Sequence, residues 1–125
     1  MSDRESELIL DCTDCTGRRT ILEAFNWDGK ILLDHRRSME ENRYAVEVTI
    51  REPDFINHDT DYGDRDVYYR RGLLPDPYHK DYVKVVVVVE HARTFRTYGR
   101  IISAYATPDV KRGEKRKWPK KKGHR

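Results

Sequence analysis

Five consecutive valines, Val85 to Val89, constrain this chain more than any other feature. β-Branched side chains are stiff in a helix and pack well on a pleated surface, so the run predicts a strand buried on both faces. Its predicted extent is Tyr82 to Glu90. Polar segments flank it: Tyr68-Tyr69-Arg70-Arg71-Gly72 before, and Arg100-Ile101-Ile102-Ser103-Ala104-Tyr105 after. The valine strand is therefore the expected floor of any site, and its neighbours carry the groups that do chemistry.

The rest of the composition sets the frame for that core. A chain of 125 residues makes one domain that buries about two-thirds of its unfolded surface. Charged residues reach 38% against 37% hydrophobic, but the charges are interleaved and apolar segments survive, as in a folded domain. The net charge of +3 is unevenly placed: Lys111 to Arg125 holds nine lysines and arginines and a single acidic residue, Glu114. The expected division is a domain over residues 1–110 and a basic, flexible tail over 111–125. Such a tail suits a polyanionic partner, or simply keeps the chain soluble. The polar start and the lack of a long apolar segment predict no signal peptide, no membrane partner and a cytoplasmic protein. Cys12 and Cys15 lack the two further ligands of a zinc site, and Gly17-Arg18-Arg19 after them reads as a turn. They are expected to be incidental thiols, and no metal or cofactor is expected.

Along the chain, Leu8–Asp11 and Thr20–Phe25 read as a β-hairpin around a loop containing Gly17. Asn26 is the expected N-cap of a first helix whose apolar stripe, Trp27 and Ile31, ends on His35. Gly29 weakens that helix by up to about 1 kcal/mol relative to alanine. A second helix starts at Ser38 or Asn42, buries Tyr44, Ala45 and Val48, and stops at Pro53. Strands follow at Phe55–His58, Val67–Arg71, Tyr82–Glu90 and Phe95–Ala106, and Pro108 ends regular structure. Two helices followed by sequential strands imply an α+β fold with an antiparallel sheet.

Histidine titrates near neutrality, which makes His35 the natural acid–base candidate, although a histidine closing an apolar stripe also serves as a hydrogen-bonded structural residue. Strand guanidinium groups grip phosphate, and alternation puts Tyr68 and Arg70 on one face, Tyr69 and Arg71 on the other. Edge-strand charges that block aggregation are the plainer reading of one of these arginines. Ser103 and Tyr105 share a face, where their hydroxyls could orient a phosphate or a base. The remaining histidines lack ligand spacing, and Asp59, Asp61, Asp64 and Asp66 lack the EF-hand pattern.

The order of these residues resembles the nuclease-like domains of the barnase–EndoU–colicin–RelE superfamily. The resemblance runs through Gly17-Arg18, Trp27 with Ile31 and His35, Pro53-Asp54, Tyr68-Tyr69-Arg70, the valine strand, Ile101 to Tyr105, and Lys111-Arg112-Gly113-Glu114. The segment Ile101-Ile102-Ser103-Ala104 is also similar to BrnT toxins of the same fold class. The resemblance implies two N-terminal helices packed on a curved antiparallel sheet. It implies metal-independent RNA cleavage by 2′-hydroxyl attack, with His35, Arg70, Ser103 and Tyr105 as catalytic residues. Lys30, Tyr68, Arg71, Lys111 and Arg112 would contact the RNA, and an antitoxin or immunity protein would be a second partner. Lys30 stands where the family pattern has its first histidine, and Ser103 where threonine is more usual; a lysine with an ordinary pKa near 10 is a poor base at neutral pH. The alternatives are a non-catalytic nucleic-acid-binding module that uses the basic tail, and a toxin-like protein-interaction domain.

Overall fold

The valine run does sit at the middle of a sheet. The computed structural model describes residues 7–92 and 96–120. In chain order come β1 (Leu8–Thr13), β2 (Arg19–Glu23), a helical stretch, α3 (Arg43–Arg51), β3 (Phe55–His58), β4 (Arg65–Arg71), β5 (Tyr82–His91), β6 (Thr97–Thr107) and β7 (Lys115–Trp118). The helical stretch consists of α1 (Ala24–Asn26), a π-helical turn (Trp27–Ile31) and α2 (Leu32–Met39). All seven strands form one sheet in the order β1-β2-β6-β5-β4-β3-β7. The fold is α+β, and the N-terminal hairpin is present. No described helix is long and apolar enough to cross a membrane.

Three expectations need correction. The sheet is mixed, not antiparallel: β2 runs parallel to β6, with Thr20 opposite Gly99 and Ile21 opposite Arg100. That junction is tight. A Cβ on Gly99 would lie 2.6 Å from a Val87 methyl and 3.2 Å from the Thr20 hydroxyl, so only glycine lets the three strands close here.

The chain beyond residue 110 is not a tail throughout, because Lys115–Trp118 pairs with β3 as β7. Three cations in four residues masked this strand; they suit an edge, where charge discourages pairing with other chains. Residues 121–125 of the expected tail lie outside the described residues, as does Phe95, the expected start of β6.

The helices also differ in detail. The first begins at Ala24, directly after an extended Glu23, and Asn26 is buried inside it without a capping bond. The helix α3 buries Ala45, Val46, Thr49 and Ile50, while Tyr44 points out and donates its hydroxyl to the Leu73 carbonyl at 2.8 Å. Its β-branched residues are tolerated because they pack on the sheet, and buried Thr49 satisfies its hydroxyl on the Ala45 carbonyl at 2.6 Å.

The two faces of the sheet have different fates. The helix α3 packs on β1, β4 and β5, and its apolar residues join Tyr68, Val83, Val85, Val87, Ile101 and Ala104 in the main core. The π-helical turn and α2 pack against β6. On the opposite face one cross-strand row is polar and aromatic: Phe55 faces Tyr69, Tyr69 faces Lys84, and Lys84 faces Tyr105, while Val67 faces Val86 in the row beside it. Lys84 is thus the single charge inside the otherwise apolar stretch from Tyr82 to Val89.

Candidate functional site

That cross-strand row is the most unusual surface of the molecule. His35 stacks on Tyr105 with ring centroids 4.6 Å apart. The Lys84 ammonium lies 5.6 Å from the ring centres of both Tyr105 and Tyr69. Tyr69 stacks on Phe55 at 5.1 Å, and the Arg116 guanidinium covers Phe55 at 4.5 Å. The result is one line of paired rings separated by cations, running from α2 across five strands: His35, Tyr105, Lys84, Tyr69, Phe55, Arg116. Beside it, Tyr82 meets Phe55 and Tyr69 edge-on, and Arg71 lies 4.1 Å above the Tyr82 ring.

The middle of the line is closed and its ends are open. The segment between β6 and β7 crosses this face, and the buried Glu114 carboxylate is its anchor. It accepts from the Tyr69 hydroxyl at 2.7 Å, the Asn57 amide at 3.2 Å and the Lys84 ammonium at 3.3 Å. Burial and the bond to Glu114 push the Tyr69 hydroxyl far above its ordinary pKa, so it stays a donor. Tyr69 and Lys84 are buried, whereas Phe55, Tyr82, Tyr105 and His35 are half-buried and Arg71 and Arg116 are exposed. Exposed guanidinium planes over half-buried rings are groups on which bases stack and to which phosphates bind; each base stacked on an aromatic side chain is worth about 1–3 kcal/mol.

Of the residues singled out in the sequence, His35, Ser103, Tyr105 and Arg71 lie on this face, and Lys30 is an exposed residue of the π-helical turn that precedes His35's helix. Ser103 faces Val86 one row from Tyr105. His35 departs from helical geometry (φ −133°, ψ 35°) within α2, which turns the ring onto Tyr105. Arg70 and Tyr68 do not join them. Arg70 points to the α3 face, where it donates to the Glu52 carbonyl at 2.6 Å and lies 3.8 Å from Asp54. Lys111 is tied to Asp61 at 3.0 Å, with its backbone N–H directed at the Tyr69 hydroxyl at 3.4 Å; Arg112 is exposed beside it. Lys84, Glu114, Phe55, Tyr82 and Arg116 were not anticipated. The available signals were a lone lysine in an apolar strand and a lone glutamate in a basic segment.

Tyr68 instead anchors a buried polar cluster on the α3 face. Its hydroxyl donates to Asp14, and Arg18 donates to it at 2.9 Å and to Asp66 at 2.8 Å. Lys117 completes the set by donating to Asp66 at 2.7 Å. Each charge has a partner of opposite sign, so the cluster ties the β1–β2 turn, β4 and β7 together rather than offering reactive groups. A groove of about 730 Å³ beside it is lined by Arg18, Arg19, Arg96 and Tyr98. Arg18 is committed to Asp66 and Tyr68, and Arg19 forms a two-pronged bond with Asp11; exposed Arg96 is the third guanidinium there.

The cysteines are separate free thiols. Burial pushes both up to about 11, so neither is a thiolate nucleophile at neutral pH. Among the described residues no three His, Cys, Asp or Glu side chains gather as metal ligands. No family model, curated protein or solved structure matches the chain.

Proposed function

We propose that the protein binds single-stranded RNA on the sheet face opposite α3. The observation that carries this reading is the line of rings and cations from His35 to Arg116. Aromatic faces accept any base, and guanidinium groups hold both the base plane and the phosphates. The strand would stack at the open end formed by Phe55, Tyr82, Arg71 and Arg116, and the Tyr105–His35 end, beyond the segment held by Glu114, would be a second stacking point. Exposed cations make such binding salt-dependent. In fluorescence anisotropy with a labelled RNA oligomer, Tyr82→Ala and Arg116→Ala are each expected to weaken binding about tenfold. Binding that is unchanged in both variants contradicts the reading.

Cleavage of that RNA is a second reading, supported by the His35–Tyr105 stack and the non-helical backbone that brings it about. His35 would exchange the proton of the attacking 2′-hydroxyl, and Tyr105 and Ser103 would orient the phosphate. The cation would come from the exposed Lys30, since Arg70 lies on the other face and buried Lys84 is held by Glu114. This reading also expects a curved sheet, and the bonds from Arg18 to Asp66 and Tyr68, three strands along the order from β2, support a bend. Incubation with labelled RNA in EDTA should give fragments with wild type and at least about a hundredfold slower cleavage with His35→Ala. Equal survival of RNA with both proteins leaves binding alone.

A further inference from the structure

The outer side of the first helix carries an unpartnered apolar stripe that neither the core nor the RNA-binding face uses. Phe25 is 58% and Leu33 74% exposed. Gly29 lies midway between them, and a Cβ added there would meet nothing within 4 Å. The fold itself therefore does not require glycine at this position, although glycine disfavours a helix.

The π-helical turn lines these residues up. A regular α-helix advances about 100° per residue, so positions eight apart drift about 80° around the axis. The π-turn over Trp27–Ile31 is wider, with about 4.4 residues per turn. It cancels most of that drift and brings Phe25, Gly29 and Leu33 into one straight ridge. Trp27 and Ile31 are buried on the other side of the same turn.

The flanks of the ridge carry opposite charge patterns. One residue either side of Gly29, Asp28 falls on one flank and Lys30 on the other. Both are exposed, whereas Arg36 lies beyond the non-helical His35 and pairs with Glu40 at 3.1 Å. When two copies of this helix pack side by side in parallel about a two-fold axis, each flank meets the partner's opposite flank. Asp28 then faces Lys30 of the second copy, a pair that occurs twice. Phe25 and Leu33 pack on their own counterparts, and the two glycines meet at the point of closest approach. An antiparallel pair would instead set Asp28 against Asp28 and Lys30 against Lys30.

We infer that the occupant of this surface is a second copy of the same chain, in a parallel, two-fold helix pair crossing at Gly29. The dimer leaves the face with Phe55, Tyr82 and Arg116 uncovered, so it stands or falls independently of RNA binding.

Sedimentation equilibrium of the full chain tests it. Wild type should show a reversible dimer, and Leu33→Asp, at an exposed position, should be a monomer. Asp28→Lys and Lys30→Asp should each weaken association about tenfold by setting like charges together. The double variant Asp28→Lys/Lys30→Asp should recover to within about threefold of wild type, since it restores opposite pairs. A wild-type monomer at about 200 µM, a concentration far above the Kd of a specific dimer, would overturn the proposal. So would a Leu33→Asp protein that still dimerises, or a double variant no better than the single ones.

Discussion

Asp14→Ala is expected to lose about 3–5 kcal/mol of folding stability, measured by urea unfolding at pH 7. The Asp14 carboxylate is fully buried and accepts from the Tyr68 hydroxyl, the Thr16 N–H and hydroxyl, and the Arg18 N–H. Removing it strands the buried Tyr68 hydroxyl and the half-buried Arg18 N–H, frees both donors of exposed Thr16, and takes away one of the two carboxylates that surround the Arg18 guanidinium. Buried groups left without partners cost their desolvation in full.

The same group sets a pH dependence. Burial alone would raise the Asp14 pKa, but the bonds from Tyr68, Thr16 and Arg18 outweigh it and hold the carboxyl below its ordinary 3.8. A carboxylate with a depressed folded-state pKa contributes stability that is fully present above the unfolded value, about pH 4, and is lost as pH falls through the folded value. The gap between wild type and Asp14→Ala should therefore be widest near neutral pH and narrow below about pH 4. A gap that is constant from pH 7 to pH 2.5 would show that the carboxylate's charge is not what stabilises the turn.

The second large effect belongs to Glu114→Ala. It should cost about 3–5 kcal/mol, because Lys84 would remain as an unpaired buried ammonium and Tyr69 and Asn57 would lose their acceptor. The Lys84 and Glu114 side chains are 7% and 0% exposed, 3.3 Å apart. A buried pair, however, is often worth little against well-packed apolar residues of similar size. Lys84→Met combined with Glu114→Leu should thus regain most of the loss, in a double-mutant cycle with a coupling of at least about 2 kcal/mol. Additive losses would mean that the two side chains act separately and that the crossing segment is not pinned by their contact.

The sequence made the architecture more legible than the site, for physical reasons. Strands β3, β4, β5 and β6 follow from β-branched runs and alternation, which are local properties. Which residues share a face with Tyr105 depends on the register between β4, β5 and β6. No local signal sets it, because the connection from Gly72 to Asp81 is long and a shift of one residue exchanges the faces. The pairing of Tyr69 with Lys84, and of Lys84 with Tyr105, places Arg70 against α3 and Arg71 on the aromatic side. An irregularity between Val86 and Val87 in the β5–β6 ladder adds to the difficulty.

His35 and Tyr105 were both legible as candidates, but their stacking depends on a backbone departure that periodicity does not carry. β7 was hidden by its charge: Lys115, Arg116 and Lys117 suggest a solvated tail. In the fold, Lys117 pairs with buried Asp66 and Arg116 covers Phe55. Glu114, the only acid in that segment, was the clue that part of it turns inward.

The most direct test of RNA binding on this face is to titrate isotopically labelled protein with a single-stranded RNA octamer and follow the backbone amide resonances. Shifts are expected to concentrate at Phe55, Arg71, Tyr82, Tyr105 and Arg116 and to reach His35, while Ala45 to Ile50 of α3 stay still. Absence of shifts at saturating RNA, or shifts confined to α3 and the β1–β2 turn, would contradict it.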